Sequence, residues 1–200
     1  MKILALAFDA FGTLFDAHSV IAACNQLFPD KGPALSQLWR TKQLEYTWLR
    51  SLTGRYEDFW QVTDSALIFA CRSLNLACPP ATREKLMSAY LRLDPYPEVA
   101  QAVRSLSKYK LAILSNGSPQ MFAAVVENSG LKSVFAHVIS VDELKIFKPS
   151  PRVYELASRH LNVPENGIGF ISSNFWDIAV RRASDCGLAG LIASKRWKKS

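Results

Sequence analysis

The sequence predicts an α/β fold, a parallel sheet whose βα rhythm is interrupted early by an all-helical insertion. Three observations carry that expectation. An apolar, β-capable run over residues 3–8 ends abruptly at Asp9. The long stretch after Asp16 shows helical spacing of its apolar residues and no strand pattern. From Glu98 onward, compact apolar strands alternate with helical segments, the pattern of strands joined by crossover helices.

Taken in order, the first strand is followed by Gly12, which lets the backbone turn and leaves Asp9 at a strand's carboxyl end, where open α/β sheets bind ligands. Leu35, Leu38, Trp39, Tyr46 and Leu49 recur near helical spacing, as do Phe59, Val62, Ala66 and Phe69; Leu86, Met87 and Tyr90 give a shorter face. Pro95-Tyr96-Pro97 closes this insertion, because proline restricts itself and the residue before it. The expected division is therefore a catalytic core of residues 1–15 and 96–200 around a helical cap of residues 16–95. Val99, Ala102, Val103 and Leu106 then form a helix face, and Leu111 to Leu114 a strand. A helix through Phe122, Val125 and Val126, a strand from His137 to Ser140 and a helix from Val153 to His160 follow. Ile168 to Ser172 and Leu188 to Ala193 complete the sheet, with no internal repeat.

Composition narrows the function classes. With 49% apolar residues, 200 residues can bury a substantial core. The opening run reads as a buried strand and not a signal, since Asp9 follows at once and no small-residue cleavage site appears. No apolar stretch has the length of a membrane span, so a cytoplasmic protein without a membrane partner is expected. Cys24, Cys71, Cys78 and Cys186 make no CxxC pair and no Cys/His cluster, which fits free thiols in a reducing compartment. The formal charge is +7, but Lys195, Arg196, Lys198 and Lys199 supply four of those charges at the end of the chain, leaving +3 as a weak argument for nucleic acid. His18, His137 and His160 have no metal-ligand spacing.

Four motifs hold the chemistry-bearing residues: Phe8-Asp9-Ala10-Phe11-Gly12-Thr13, Leu114-Ser115-Asn116-Gly117, Lys148-Pro149, and Ser172-Ser173-Asn174-Phe175-Trp176-Asp177. Singly, the first three have ordinary readings: a capping or loop carboxylate, a turn and a surface cation. Parallel topology would bring all four to one sheet edge, and a carboxylate there can attack an electrophile to form an ester, splitting one displacement into two steps.

In order and spacing these motifs resemble the haloacid dehalogenase superfamily, and within it most closely the (S)-2-haloacid dehalogenases, over nearly the whole chain. The resemblance implies a HAD-like Rossmannoid parallel sheet with an inserted helical cap. It also implies a hydrolase acting on carbon-halogen bonds that converts short (S)-2-haloacids to (R)-2-hydroxyacids through an aspartyl ester. Asp9 would be the nucleophile, with Thr13 positioning it. Arg40, in Leu38-Trp39-Arg40-Thr41-Lys42-Gln43-Leu44-Glu45-Tyr46-Thr47-Trp48, would receive the departing halide, although Thr41 stands where many relatives carry Gln. Ser115 would bind the substrate carboxylate and Asn116 the halogen side, while Phe11, Leu44, Phe59 and Trp176 would enclose the apolar part. Lys148 would orient the carboxylates, Tyr154 would stand nearby, and Asp177 would activate the water that hydrolyses the ester, with Ser172 and Asn174 keeping nucleophile and water in register. Ser173 is set aside because neighbours on an emerging strand need not face the same side. Asp16 is expected to do no more than cap the following helix, and Lys145 to face solvent.

Phosphatases and phosphomutases of the same superfamily carry a second acid two residues after the nucleophile. Here that position is Phe11, which cannot transfer a proton, whereas a departing halide needs none. The expectation is therefore no cofactor and no required metal, with a short 2-haloalkanoate and halide as the small-molecule partners and, as in the family, a homodimer. A magnesium-dependent phosphatase or phosphomutase is the enzyme alternative, and a noncatalytic binding protein of the same fold is the other. The resemblance weakens near the end, where Leu191-Ile192-Ala193-Ser194 poorly reproduces the family's segment.

Overall fold

The computed structural model describes residues 2–183 and 189–192, with side chains to Val180. Cys186, Gly187, Leu188, Ala193, Ser194 and the basic end at Lys195, Arg196, Lys198 and Lys199 lie outside the described residues. Five strands form one parallel sheet in the order β3-β2-β1-β4-β5: β1 (Ala5–Phe8), β2 (Lys110–Ser115), β3 (His137–Ser140), β4 (Ile168–Ser172) and β5 (Ala189–Ile192). All four residues of β1 are buried, as are the last five of β2, because helices cover both faces of a parallel sheet and leave no polar side. Phe8 is in register with Ile113 on one side and Ile171 on the other, so β2 and β4 run on past the end of β1, to Ser115 and Ser172.

The insertion consists of α1 (Ile21–Leu27), α2 (Gly32–Thr53), α3 (Phe59–Ser73) and α4 (Pro80–Ala89), followed by a short 3-10 turn over Tyr90–Arg92. Local signals set their ends. Asp58 caps α3 by accepting from the Gln61 N–H at 2.9 Å, and α2 stops at Gly54, whose φ of 66° is left-handed. The seam between α2 and α3 packs Leu35 and Trp39 against Phe59, Val62, Ala66 and Leu67, and the Tyr90 ring meets Trp39 edge-on at 4.6 Å. This buried α2 face departs from the sequence expectation. Leu49 is 48% exposed and Phe69 37%, while Gln43 and Thr47 are fully buried. The helical stripe that begins at Leu35 and Trp39 continues through polar residues, so apolar letters alone trace the wrong line. Helix α1 was not legible either: its N-cap, Val20, makes no side-chain cap and its first turn holds no acid.

After the insertion come α5 (Val99–Ser105), α6 (Pro119–Asn128) and α7 (Pro151–Leu161), interleaved with the strands as expected, and α8 (Phe175–Ala183), which the sequence reading did not name. Prolines at the starts of α6 and α7 supply preset backbone where no amide donor is needed. The two chain crossings between sheet and insertion run side by side. Asp16 N–H donates to the Asp94 carbonyl at 2.8 Å, Tyr96 N–H donates to the Leu14 carbonyl at 3.0 Å, and Phe15 pairs antiparallel with Pro95. Asp16 does not cap α1; its carboxylate accepts from the His18 N–H at 2.9 Å within the turn. Among the described residues, no helix is long and apolar enough to cross a membrane.

Candidate active site

The strand ends place the motifs. Asp9 leaves β1 while its N–H still donates to the Ile171 carbonyl at 3.0 Å, which extends the ladder by one residue and fixes the carboxylate beside the end of β4. The chain then turns at Gly12, whose φ of 91° is strained for any residue with a Cβ, and Gly12 N–H closes the turn on the Phe15 carbonyl at 2.7 Å. Ser115 ends β2, Ser172 ends β4, and Lys148 arrives from the loop after β3.

Both oxygens of Asp9 are engaged. Lys148 Nζ donates to Oδ1 at 3.0 Å, while Asn174 Nδ2 and Thr13 Oγ1 donate to Oδ2 at 2.7 and 3.2 Å. Lys148 is 1% exposed, and its ammonium also stands 3.7 Å from Asp177 Oδ1 and 4.7 Å from the centre of the Phe170 ring. A single cation is therefore shared by two buried carboxylates and cushioned by an aromatic face. Asp177, fully buried, accepts from Tyr154 OH and Ser172 Oγ, each at 2.6 Å. Burial pushes the Asp177 pKa above the ordinary carboxylate value; the Lys148 charge opposes that shift, the Asp9 charge adds to it, and the two hydroxyl donors again oppose it.

Arg40 comes from the other side, on α2. Its Nη2 donates to the Phe11 carbonyl at 3.1 Å and its Nη1 to Gln43 Oε1 at 2.6 Å. Both acceptors are neutral, so dipoles and not a carboxylate solvate this guanidinium. Phe11 is buried between two rings, stacked on Phe59 of α3 at 5.5 Å and on Phe122 of α6 at 5.9 Å. Gly117 permits this stack, since a Cβ there would come within 2.7 Å of Phe11 and 2.8 Å of Phe122.

Asp9, Phe11, Arg40, Leu44, Phe59, Ser115, Asn116, Lys148, Asn174 and Trp176 enclose a chamber of about 10 Å³, space for roughly one water. All ten were expected at the site from sequence. Thr13, Ser172, Tyr154 and Asp177, the other four, stand behind its wall, with Asp177 joined to the chamber through Lys148. Asn116 commits its amide oxygen to the Lys148 N–H at 2.9 Å, so its own N–H group is what it can offer the chamber. A much larger groove of about 530 Å³ lies along α6 and the edge strand β3 near Phe122, Val126 and Val138, but none of the motif residues line it. Size does not select the site; convergent charge does.

Three residues escaped the sequence reading. Ser173, set aside there, donates its hydroxyl to the Gly12 carbonyl in a short bond, while its N–H donates to Thr13 Oγ1 at 3.0 Å, so it ties the β4 loop to the loop that follows Asp9. Strand alternation does not apply to it because β4 has already ended. Gln43 and Thr63 support Arg40 from inside the helix pair, and no sequence signal distinguishes them from any polar residue of an amphipathic helix. Lys145 faces solvent, as expected, and pairs with Asp142 at 2.7 Å. As for a metal, no group of three or more His, Cys, Asp or Glu converges among the described residues, and the Lys148 ammonium stands against both site carboxylates.

A model of the haloacid dehalogenase-like hydrolases matches residues 3–185. The chain is 53% identical over 174 residues to the (S)-2-haloacid dehalogenase of Pseudomonas sp. (strain YL), covering 86% of this chain and 75% of that protein. It is 46% identical over 184 residues to haloacetate dehalogenase H-2 of Moraxella sp. (strain B), covering 91% and 82%. The fold matches the structure of the L-2-haloacid dehalogenase of Xanthobacter autotrophicus with chloropropionic acid covalently bound. That match has a TM-score of 0.91 and 42% identity over 98% of this chain and 80% of the other.

Proposed function

The chain belongs to the haloacid dehalogenase-like hydrolases, and from that premise we propose that it hydrolyses short (S)-2-haloacids to (R)-2-hydroxyacids. The observation that carries this reading is the pairing of Asp9 with Phe11 in one chamber beneath Arg40. A nucleophilic carboxylate is present, the proton-transferring acid of phosphoryl chemistry is replaced by a ring locked in an aromatic stack, and an uncompensated cation faces the site.

In the proposed reaction, Ser115 binds the substrate carboxylate while Leu44, Phe59 and Trp176 enclose its short alkyl part. An Asp9 oxygen attacks C2 from the face opposite the halogen. The C–O bond forms as the carbon-halogen bond breaks, and halide leaves with the bonding pair toward Arg40 and the N–H group of Asn116. Water held between Asp9 and Asp177 then attacks the ester carbonyl carbon, giving a proton to Asp177. The hydroxyacid oxygen leaves and takes the proton back from Asp177, and the Asp9 carboxyl, which now holds the water oxygen, releases its remaining proton to solvent and is regenerated. Lys148 pairs with Asp177 throughout and with Asp9 whenever Asp9 is a free carboxylate; Tyr154 and Ser172 hold Asp177, and Thr13 and Asn174 hold Asp9. We assign residues 1–15 and 96–200 to the catalytic core and 16–95 to the cap, with the reaction at their seam. We further propose a cytoplasmic homodimer, for which sedimentation of the purified chain is the check.

Single turnover in isotopically labelled water tests the covalent route. The first product hydroxyl should carry unlabelled oxygen from Asp9, and label should enter the Asp9-containing peptide. Label in the first hydroxyacid without label in that peptide would instead indicate direct attack by water. Halide release should proceed without added metal, and phosphate release from small esters with magnesium, in the absence of halide release from 2-haloacids, would overturn the assignment.

A further inference from the structure

The seam between α2 and α3 holds a polar ladder that ends on Arg40. Gln43 and Thr63 are both fully buried among Trp39, Phe59, Val62 and Leu67. Burying such groups is costly unless every one is paired, and an apolar pair of similar volume would pack the same seam without that risk. Here the pairing is complete and, more usefully, directional. Thr63 Oγ1 lies 2.6 Å from the Phe59 carbonyl, which can only accept, so the single hydroxyl proton is committed there. Thr63 must then accept from its other neighbour, Gln43 Nε2, also at 2.6 Å. That fixes the Gln43 amide with its nitrogen toward Thr63 and its oxygen toward Arg40 Nη1 at 2.6 Å. The orientation of a glutamine amide is ordinarily ambiguous; a donor and acceptor count decides this one. Trp39 Nε1 donates to the Thr63 carbonyl at 2.8 Å and pins the same turn of α3.

We propose that Gln43, oriented by Thr63, is a positioning residue that aims the Arg40 guanidinium at the halide-accepting side of the chamber. One arm of Arg40 is held by the Phe11 carbonyl on the nucleophile loop and the other by the cap ladder, so the fork is fixed from both sides of the chamber. Neutral acceptors hold the geometry without cancelling the charge, which a carboxylate at position 43 would do. Reversal of the Gln43 amide would set N–H donors against a guanidinium and displace it.

This inference rests on the dehalogenase reading, and its test separates the two. Thr63→Val keeps the shape of residue 63 and removes the hydroxyl; Thr63→Ser keeps the hydroxyl; Gln43→Met removes the amide and serves as the second probe should Thr63→Val not fold. The measurements are kcat on L-2-chloropropionate and L-2-bromopropionate, and bromide affinity from tryptophan fluorescence. Chloride is the poorer leaving group and depends more on Arg40. Thr63→Val and Gln43→Met should therefore lower the chloro-to-bromo kcat ratio by about fivefold to tenfold and weaken bromide binding by a similar factor, less than the full worth of a charge-assisted hydrogen bond because Arg40 keeps its bond to the Phe11 carbonyl. Thr63→Ser should restore both to within about twofold. Equal loss on both substrates with unchanged bromide affinity would mean packing damage alone and would overturn the proposal. So would a Thr63→Ser variant as impaired as Thr63→Val, or a wild type that binds no bromide. If the wild type releases no halide from either acid, the activity assignment fails on its own, and the bromide titration still decides the role of Gln43.

Discussion

The two walls of the chamber are built on opposite electrostatic plans. On the sheet side, two buried carboxylates share one ammonium, and Ser172, Tyr154, Asn174 and Thr13 occupy their remaining oxygens. On the cap side, one guanidinium rests on two neutral oxygens. The first wall holds one more carboxylate than ammonium but has every oxygen hydrogen-bonded, which suits groups that must hold position through the proposed covalent cycle. The second keeps its charge unspent, which suits a group whose counterion arrives only when a bond breaks. On the proposed mechanism, charge is shared where groups must stay in place and left open where the departing halide would supply the partner.

The largest break in this contrast should come from Lys148→Met. Removing the shared cation leaves two carboxylates buried without compensation, so stability should fall by about 3–5 kcal/mol and turnover by more than about a thousandfold. Urea unfolding together with halide release at saturating substrate measures both. A variant of wild-type stability would show that the sheet-side wall does not depend on its central cation.

Asp177→Asn should separate activity from stability. The Asp177 pKa is raised by folding, so between its ordinary value of 3.8 and the raised value the native state binds more protons than the unfolded one. Stability contributed by this group is therefore lost as pH rises through that window, and the amide removes this slope. Thermal midpoints measured across that range should fall with rising pH more steeply in the wild type than in Asp177→Asn. Turnover of the variant should meanwhile drop by about a hundredfold or more, the loss expected for a missing general base. In the wild type, kcat should decline as pH falls through the raised value, because the base must be ionised.

Tyr154→Phe sharpens the same wall at lower amplitude. The Tyr154 hydroxyl donates to the Asp177 carboxylate and favours its charged form, so its loss should move the acid limb of kcat to higher pH. The plateau rate should fall by about tenfold or less, since the catalytic carboxylate remains. An unmoved limb would detach Tyr154 from the water-activating group.

Phe11→Tyr should have the smallest effect. The ring already fills the space between Phe59 and Phe122, and an added hydroxyl leaves the aromatic stack intact. A change within about threefold in kcat/KM is expected, and the variant should still release no phosphate from esters.

Legibility in the sequence followed the same division as the two walls. On the sheet side the strand-end pattern placed Asp9 at a ligand-binding edge, whereas Ser115, Lys148 and Ser172 were singled out by the resemblance of their motifs, since locally they read as a turn, a surface cation and a strand end. On the cap side the residues that line the chamber, Arg40, Leu44 and Phe59, were expected, but the polar residues behind them were not. The ladder supporting Arg40 is a matter of which helical face is buried, and on α2 that face passes through Gln43 and Thr47 while Leu49 faces outward. Hydropathy periodicity sees side-chain type and not hydrogen-bond partnership, so a buried polar seam is invisible to it. Ser173 was missed for a related reason, because a rule for strands was extended one residue past the strand.

The paired crossings at Phe15 and Pro95 have a consequence for how this molecule could be rebuilt. Because the chain departs and returns through a short antiparallel bridge, everything between those points is an excursion that begins and ends at one place on the host. Such an excursion can in principle be exchanged for another of different shape, or shortened to a tight turn, without asking any strand to change its neighbours. Any replacement would have to bring its own cation over the chamber, because Arg40 travels with the excursion while Asp9, Lys148 and Asp177 stay with the host.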